Sequence, residues 1–160
     1  MDREFSAFYR STFRQLIAFL IKQGASVPIA SDIAQDTMIK VYQRWTDIDQ
    51  PKAWVHTVAS RALVRKIADI HEHPHDQVPE PTSLLPCPDT VAEWETRHDA
   101  LRVFRSLPPR QRQVLAWTYS GFTPSEIAQQ LGMTPNVVSA NLKKARRAAA
   151  AYFQAGEEEQ

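Results

Sequence analysis

Two groups of residues in this 160-residue chain are of types that could do chemistry. The first is the series Asn136, Ser139, Lys143, Lys144, Arg146 and Arg147. At helical spacing Asn136, Ser139 and Lys143 share one side, with the remaining cations further along. Short polar residues early and cations late suit a helix whose first turns reach base edges and whose later turns anchor on phosphates. Asn can read adenine bidentately, and Lys can reach guanine. The second group pairs imidazoles with carboxylates: His71, His73 and His75 alternate with Glu72 and Asp76. These are metal-ligand types, but they stand in a proline-rich stretch with no scaffold to fix their geometry, so they read as a solvated cluster. Asp32 and Asp36 could share a divalent ion, yet no second carboxylate or His set faces them, and a surface ridge is the reading. The single cysteine, Cys87, excludes an intramolecular disulfide and a thiolate-cage zinc site. No cation stands near it to lower its pKa, so it reads as inert. No catalytic residue, cofactor or metal is expected.

Composition narrows the class. At 43% hydrophobic and 23% charged residues, the chain is not disordered throughout. Four glycines against eleven prolines argue against phosphate-cradling loops and hairpin-rich β folds. The apolar run 16–21 is too short to span a bilayer. The start, Met1-Asp2-Arg3-Glu4-Phe5, carries no secretory signal pattern. A soluble, cytoplasmic, mainly helical chain is expected. The net charge of +1 conceals blocks. Residues 1–70 carry +3, 71–95 carry −6 with no Lys or Arg, 96–155 carry +7, and the last five residues carry −3. Two basic blocks around an acidic one suggest two surfaces for a polyanion, joined by something that is not one.

The elements that must position these residues follow from periodicity. Five prolines within 71–89 cannot sustain a helix or a central strand, so that stretch is an extended linker. Before it, three helices are predicted. Phe5, Phe8, Tyr9, Phe13, Leu16, Ile17 and Leu20 recur at helical spacing up to Gly24. A second helix over 29–46 has the stripe Ile33, Thr37/Met38, Val41 and Trp45. A third, opened by Pro51 and running to about 68, has the stripe Trp54, Val58, Ala62 and Ile67, with Thr57, Ser60, Arg61 and Arg65 on a different face. Trp45, Trp54 and Trp117 read as core. After the linker, one helix spans 91–105 and another 109–119. Thr123-Pro124-Ser125-Glu126 is a capping box with proline in the first turn. The short helix behind it ends before Gly132, and Thr134-Pro135 starts a last helix. This is the helix-turn-helix pattern, with Ile127, Leu131, Val138 and Leu142 packing between the helices and Ala128 at the close crossing. The fold class is all-α: two small helical domains joined by a proline-rich acidic linker, the C-terminal one containing the helix-turn-helix. The boundaries are 1–70, linker 71–90, 91–155, and an acidic tail 156–160.

Both halves, in this order, resemble the extracytoplasmic-function (ECF) sigma factors, the smallest class of bacterial RNA polymerase sigma subunits. Ala30-Ser31-Asp32-Ile33-Ala34-Gln35-Asp36-Thr37-Met38 resembles that family's acidic helix, which docks on the polymerase clamp. Lys52-Ala53-Trp54-Val55, followed by Val58-Ala59-Ser60-Arg61, resembles its run at the downstream promoter element. Leu107-Pro108-Pro109-Arg110-Gln111-Arg112 and Glu126-Ile127-Ala128-Gln129-Gln130-Leu131-Gly132 look like its upstream-element domain. Arg61 stands where the family usually has Asn, and Arg65 where an Asp is common. Ser139-Ala140-Asn141 replaces a frequent Lys-Ser-Arg, which shifts the expected upstream affinity onto Lys143, Lys144, Arg146 and Arg147.

The resemblance implies a non-catalytic specificity subunit that takes core polymerase to promoters and assists their opening. Asp32, Gln35, Asp36, Ile39, Lys40 and Gln43 would bind polymerase. Lys52, Trp54, Thr57, Ser60, Arg61 and Arg65 would meet the downstream element, residues 47–54 holding extruded non-template bases. Thr123, Ser125, Asn136, Ser139, Lys143, Lys144, Arg146 and Arg147 would meet the upstream element. The implied partners are core RNA polymerase, double-stranded promoter DNA and the melted non-template strand. An anti-sigma protein is a further partner the class admits; membrane insertion is not expected. The linker would pass through the polymerase cleft. The alternative is a stand-alone helix-turn-helix regulator whose N-terminal half dimerises or senses.

Overall fold

In the computed structural model, the residues described are 2–72 and 91–159, with side chains from 99 onward in the second stretch. They form seven α-helices and one 3-10 turn, and no strand occurs among them. The all-α expectation holds. None of these helices is long and apolar enough to cross a membrane. Residues 73–90 of the expected linker, with His73, His75, Asp76 and Cys87, lie outside the described residues. The chain divides into two compact units, one built by the first three helices and one by the last four.

The first unit comprises α1 (Asp2–Lys22), α2 (Val27–Gln43) and α3 (Pro51–Glu72). The buried part of α1 is its second half, where Leu16, Ile17, Phe19, Leu20 and Ile21 face inward. Ser26 caps α2 by accepting the Ile29 N–H at 3.4 Å, and Pro28 lies in the first turn, where a missing N–H costs nothing. Ala30, Ile33, Ala34, Thr37, Met38 and Val41 then form the buried stripe. The Thr37 hydroxyl donates to the Ile33 carbonyl at 2.7 Å, which satisfies it inside the core. The helix stops at Gln43, earlier than periodicity implies. The Arg44 backbone leaves helical geometry and Trp45–Asp47 form a separate 3-10 turn, so Trp45 is half-buried instead of continuing the stripe.

The third helix corrects its predicted register. Its buried residues are Val55, His56, Ala59, Ser60 and Leu63. Trp54, Val58 and Ala62 are only half-buried, and Ile67 is exposed. The large apolar residues suggested one stripe, but the small side chains of Ala59 and Ser60 allow α2 and α3 to pack at another. Helix α3 also continues past 68 to Glu72, two residues into the stretch assigned to the linker. His56 is the unexpected core member, 0% exposed. Its Nδ1–H donates to the Lys52 carbonyl at 2.7 Å, and its ring meets Phe19 edge-on at 4.7 Å.

The second unit comprises α4 (Val91–Ser106), α5 (Pro109–Tyr119), α6 (Pro124–Leu131) and α7 (Pro135–Glu158). Its core gathers Val103, Phe104, Leu107, Val114, Leu115, Trp117, Phe122, Ile127, Val138, Leu142 and Ala145. Trp117 is core as expected, packed on Phe122 at 4.8 Å. The α4–α5 turn is held by Arg112. Its Nε donates to the Phe104 carbonyl at 2.9 Å, and its Nη2 donates to the carbonyls of Arg105 at 3.2 Å and Leu107 at 3.0 Å. The last carbonyls of a helix have no partner within it, so one guanidinium satisfies three groups that water would otherwise have to serve. Helix α7 runs to Glu158, so the residues read as a tail after 155 begin as the last turn of a helix.

Two predictions follow from these cores. Burial lowers the His56 pKa to about 4, partly offset by its bond to the Lys52 carbonyl. A base whose folded pKa is depressed contributes stability that is present above its unfolded value and lost as pH falls toward its folded one. Urea titrations should therefore show the wild type losing about 2 kcal/mol between pH 7.5 and pH 5 relative to His56→Gln, which cannot titrate. Parallel pH profiles for the two proteins would contradict this. For Arg112, Arg112→Met keeps the aliphatic stem and should cost about 2–3 kcal/mol in urea unfolding. Arg112→Lys should recover only part of that loss, because an ammonium lacks the planar fork.

Candidate functional site

The helix-turn-helix is built by local chemistry. Thr123 caps α6, accepting the Glu126 N–H at 3.3 Å while its hydroxyl donates to Glu126 Oε1 at 3.1 Å. The capping pair thus closes through the hydroxyl of Thr123. Gly132 ends α6 in the left-handed region, φ 67° and ψ 37°. A Cβ there would meet nothing within 4 Å, so backbone conformation rather than space calls for glycine. The N–H of Met133 returns to the Ala128 carbonyl at 2.9 Å, and Thr134 caps α7 by accepting the Val137 N–H at 3.3 Å. Ile127, Ala128, Val138 and Leu142 are buried and Leu131 is half-buried, as the pattern required.

With that side fixed inward, the opposite side of α7 is fixed outward. Asn136, Ser139, Lys143, Lys144, Arg146 and Arg147 are all exposed. At roughly 100° per residue, all but Lys144 fall on one face, about 16 Å long from Asn136 to Arg147. Thr123 and Ser125 are exposed at the start of α6. An open groove of about 680 Å³ joins Pro124 to Ser139, Lys143, Arg146 and Arg147 over an apolar floor of Leu142 and Ala150. Asn141 is excluded from this face's free donors, since its Nδ2 is turned back onto the Val137 carbonyl at 2.9 Å.

On α2, Asp32, Gln35, Asp36, Ile39, Lys40 and Gln43 are all exposed, and at helical spacing they form a single ridge. Ile39 stands at its centre, 55% exposed and flanked by carboxylates, amides and one ammonium. Tyr9 donates its hydroxyl to Gln35 Oε1 at 3.2 Å, which fixes that amide from α1. A charged ridge with one bare aliphatic at its centre suits docking to a protein surface.

The third set is brought together only in part. Lys52, Arg61 and Arg65 are exposed, while Trp54 and Thr57 are half-buried. Because the core register of α3 differs from the predicted one, Trp54, Thr57, Arg61 and Arg65 share the side away from the core. Ser60 does not join them. It is 3% exposed, facing the interior, and leaves the set of DNA-facing candidates.

The sequence reading also missed residues. Tyr42 is exposed and donates its hydroxyl to Asp2 Oδ1 at 3.1 Å, and Phe5 and Phe8 gather around Trp45. Spacing reads Phe5 and Phe8 only as the periodicity of α1 and Trp45 as the end of the α2 stripe, since no Gly or Pro marks where α2 stops; it gives Tyr42 no place. Val64 and Ile70 on α3 are likewise exposed.

Comparison with known proteins matches both halves of the chain. The family model for Sigma-70 region 2 matches residues 8–71, and that for Sigma-70, region 4 matches residues 97–148. The ECF RNA polymerase sigma factor RpoE of Cereibacter sphaeroides is 26% identical over 156 residues, covering 90% of this chain and 83% of that protein. Among solved structures, the sigma factor RpoE in complex with the anti-sigma factor NepR from Bartonella quintana superposes with a TM-score of 0.75 at 19% identity, covering 95% of this chain and 98% of that one. CnrH, in complex with the cytosolic domain of CnrY, gives 0.70 at 18% identity, covering 97% and 90%. The region 2 match accounts for the N-terminal half that a stand-alone regulator would have used for dimerisation or sensing. Two regions matched in this order, with a relative of the class aligned over 90% of the chain, show that the chain belongs to the extracytoplasmic-function sigma factors, which bring core RNA polymerase to promoter DNA.

Proposed function

We propose a division of labour among the three surfaces. The exposed ridge Asp32, Gln35, Asp36, Ile39, Lys40 and Gln43 docks on core polymerase. Lys52, Trp54, Thr57, Arg61 and Arg65, with residues 47–54, take the downstream element and the non-template bases drawn out of it. Thr123, Ser125, Asn136 and Ser139 read the upstream element, and Lys143, Lys144, Arg146 and Arg147 hold its phosphates. The domains run over 1–70 and 91–155, and tethering them makes engagement of both elements mutually reinforcing through effective concentration. The protein acts in the cytoplasm, catalyses no reaction itself, and is open to capture by an anti-sigma protein. The observation that carries the reading is the outward face of α7, free of acidic residues from Pro135 to Gly156 and held by a capped left-handed turn. Cations on a rigid helix beside an open groove suit a phosphate backbone. Drawing bases out of a duplex has an unstacking cost, so the segment that accepts them also discriminates among them.

The direct test is transcription in vitro from a promoter library by core polymerase with this protein. Specific transcripts should require both components. Tight, sequence-specific binding by the protein alone, with no effect on core polymerase, would favour a stand-alone regulator.

Two substitutions separate the surfaces. Reversing charge at Asp32 and Asp36 to Arg should weaken binding to core polymerase at least ten-fold and leave far-UV circular dichroism unchanged; undiminished co-purification with core would contradict the docking assignment. Arg146→Ala should weaken binding to every upstream sequence and lower the slope of log affinity against log salt by about one. Asn136→Ala should cost about 1–3 kcal/mol at one base pair only. An Arg146→Ala protein with altered base preference and an unchanged salt slope would overturn the division between reading and anchoring.

A further inference from the structure

The first ten residues of α1, nearly three turns, contribute nothing to the sealed core: from Asp2 to Ser11 no residue is fully buried. They are nonetheless densely engaged by aromatic contacts. Phe5 lies 4.8 Å from the Tyr42 ring and 5.4 Å from the Trp45 ring, edge-on at 85°. Phe8 lies 5.2 Å from Trp45. Tyr42 donates its hydroxyl to Asp2 Oδ1 at 3.1 Å, closing the contact at the helix start. Edge and tilted geometries at these separations are the favourable ones for aromatic pairs.

What these rings grip is the 3-10 turn Trp45–Asp47, which has little holding it otherwise. It has no side-chain cap and no buried residue, and its own bonds are the Asp47 N–H to the Arg44 carbonyl at 2.9 Å and a hydroxyl–carboxylate pair between Thr46 and Asp47. A short 3-10 segment has poor hydrogen-bond geometry of its own. The turn leads directly into Ile48 and the polar residues Asp49 and Gln50 before α3 begins. Those residues are the segment assigned above to extruded bases.

We propose that Phe5, Phe8 and Trp45, tied by the Tyr42–Asp2 hydrogen bond, are positioning residues for the melted promoter strand. They hold residues 47–54 in the conformation that receives bases, without touching DNA themselves. The start of α1 is then a control point for promoter opening, separate from polymerase docking and from upstream recognition. This inference rests on the assignment of residues 47–54 to the non-template strand.

The test uses full-length protein assembled with core polymerase on a promoter carrying 2-aminopurine in the non-template strand of the downstream element. The double variant Phe5→Leu, Phe8→Leu keeps apolar bulk and removes the rings. It should bind core polymerase and duplex upstream element within about two-fold of wild type, yet open the promoter about ten-fold more slowly. Phe5→Tyr with Phe8→Tyr should restore the rate, as should Trp45→Phe in place of a defective Trp45→Leu. Tyr42→Phe, which keeps the ring and loses the bond to Asp2, should slow opening about two- to three-fold. Opening at the wild-type rate in the double Leu variant would overturn the proposal. So would a matching loss of core affinity or failure of the Tyr pair to rescue, since either marks a general structural role. Lys52→Ala and Trp54→Ala in the same assay separate the two readings. If these slow opening and the double Leu variant does not, only the positioning role is wrong. If neither does, the strand assignment falls with it.

Discussion

Between Leu131 and Pro135 the chain has three residues in which to end one helix, turn, and begin another. That is possible because Gly132 adopts a left-handed conformation that a Cβ would strain, while Thr123 and Thr134 supply acceptors for N–H groups the helices leave orphaned. The turn determines how α7 is rolled about its axis. Once Ile127, Val138 and Leu142 are locked between the helices, Asn136, Ser139, Lys143, Arg146 and Arg147 have no choice of direction. A recognition helix must present side chains to within a fraction of an ångström of base edges, and an isolated helix would spread them over all orientations. Arg112 serves the same end one step back, by closing α4 onto the helix that supports this pair.

Charge on α7 acts locally. Ion pairs on an exposed helix contribute little to stability, so Lys143, Lys144, Arg146 and Arg147 are free to be spent on a partner. Three glutamates, Glu157, Glu158 and Glu159, sit at and just past the far end of the same helix, Glu157 about 15 Å beyond Arg147 along its axis. At physiological ionic strength the screening length is about 8 Å, so those carboxylates barely weaken the field at the basic turns. They also oppose the helix dipole at its C-terminus, where cations are favoured. Their place at that end is therefore not a device for helix stability. A chain net charge near zero and a strongly basic helix face are thus compatible, and the block pattern of the sequence was a better guide than its sum.

What could be read from the sequence depended on whether the deciding chemistry was local. The helix-turn-helix was legible down to single residues because caps, prolines in first turns and Gly132 act within four residues of where they stand. The ridge on α2 was legible because its core stripe of Ile33, Met38 and Val41 is unambiguous, which leaves the other side exposed. The end of α2 was not. Arg44 departs from helical geometry with no breaker residue to announce it, and the aromatic grip on Trp45 comes from residues some forty positions away. The burial of His56 was equally hidden, since it depends on Phe19 of another helix and on a carbonyl of its own.

The register of α3 shows how much can turn on one such ambiguity. The helix carries two candidate stripes, Trp54–Val58–Ala62 and Val55–Ala59–Leu63, and the first has the greater apolar bulk. Packing selected the second, in which Ala59 and Ser60 bring helix surfaces close and Val55, Leu63 and the neighbouring His56 supply the bulk. At roughly 100° per residue, Trp54, Arg61 and Arg65 then fall within about 40° of one another, nearly opposite the centre of the buried stripe. Had the bulkier stripe been buried, Trp54 would have been consumed by the core, with Arg65 drawn into the same stripe and Arg61 left at its edge. The observed register instead sets a half-exposed indole on the same side as two guanidiniums, and a flat aromatic beside cations is what single-stranded nucleic acid is held by. The cost is a core built from small side chains and a buried imidazole that must stay neutral. Ser60, drawn into that core, is the one member of the expected set that faces the interior.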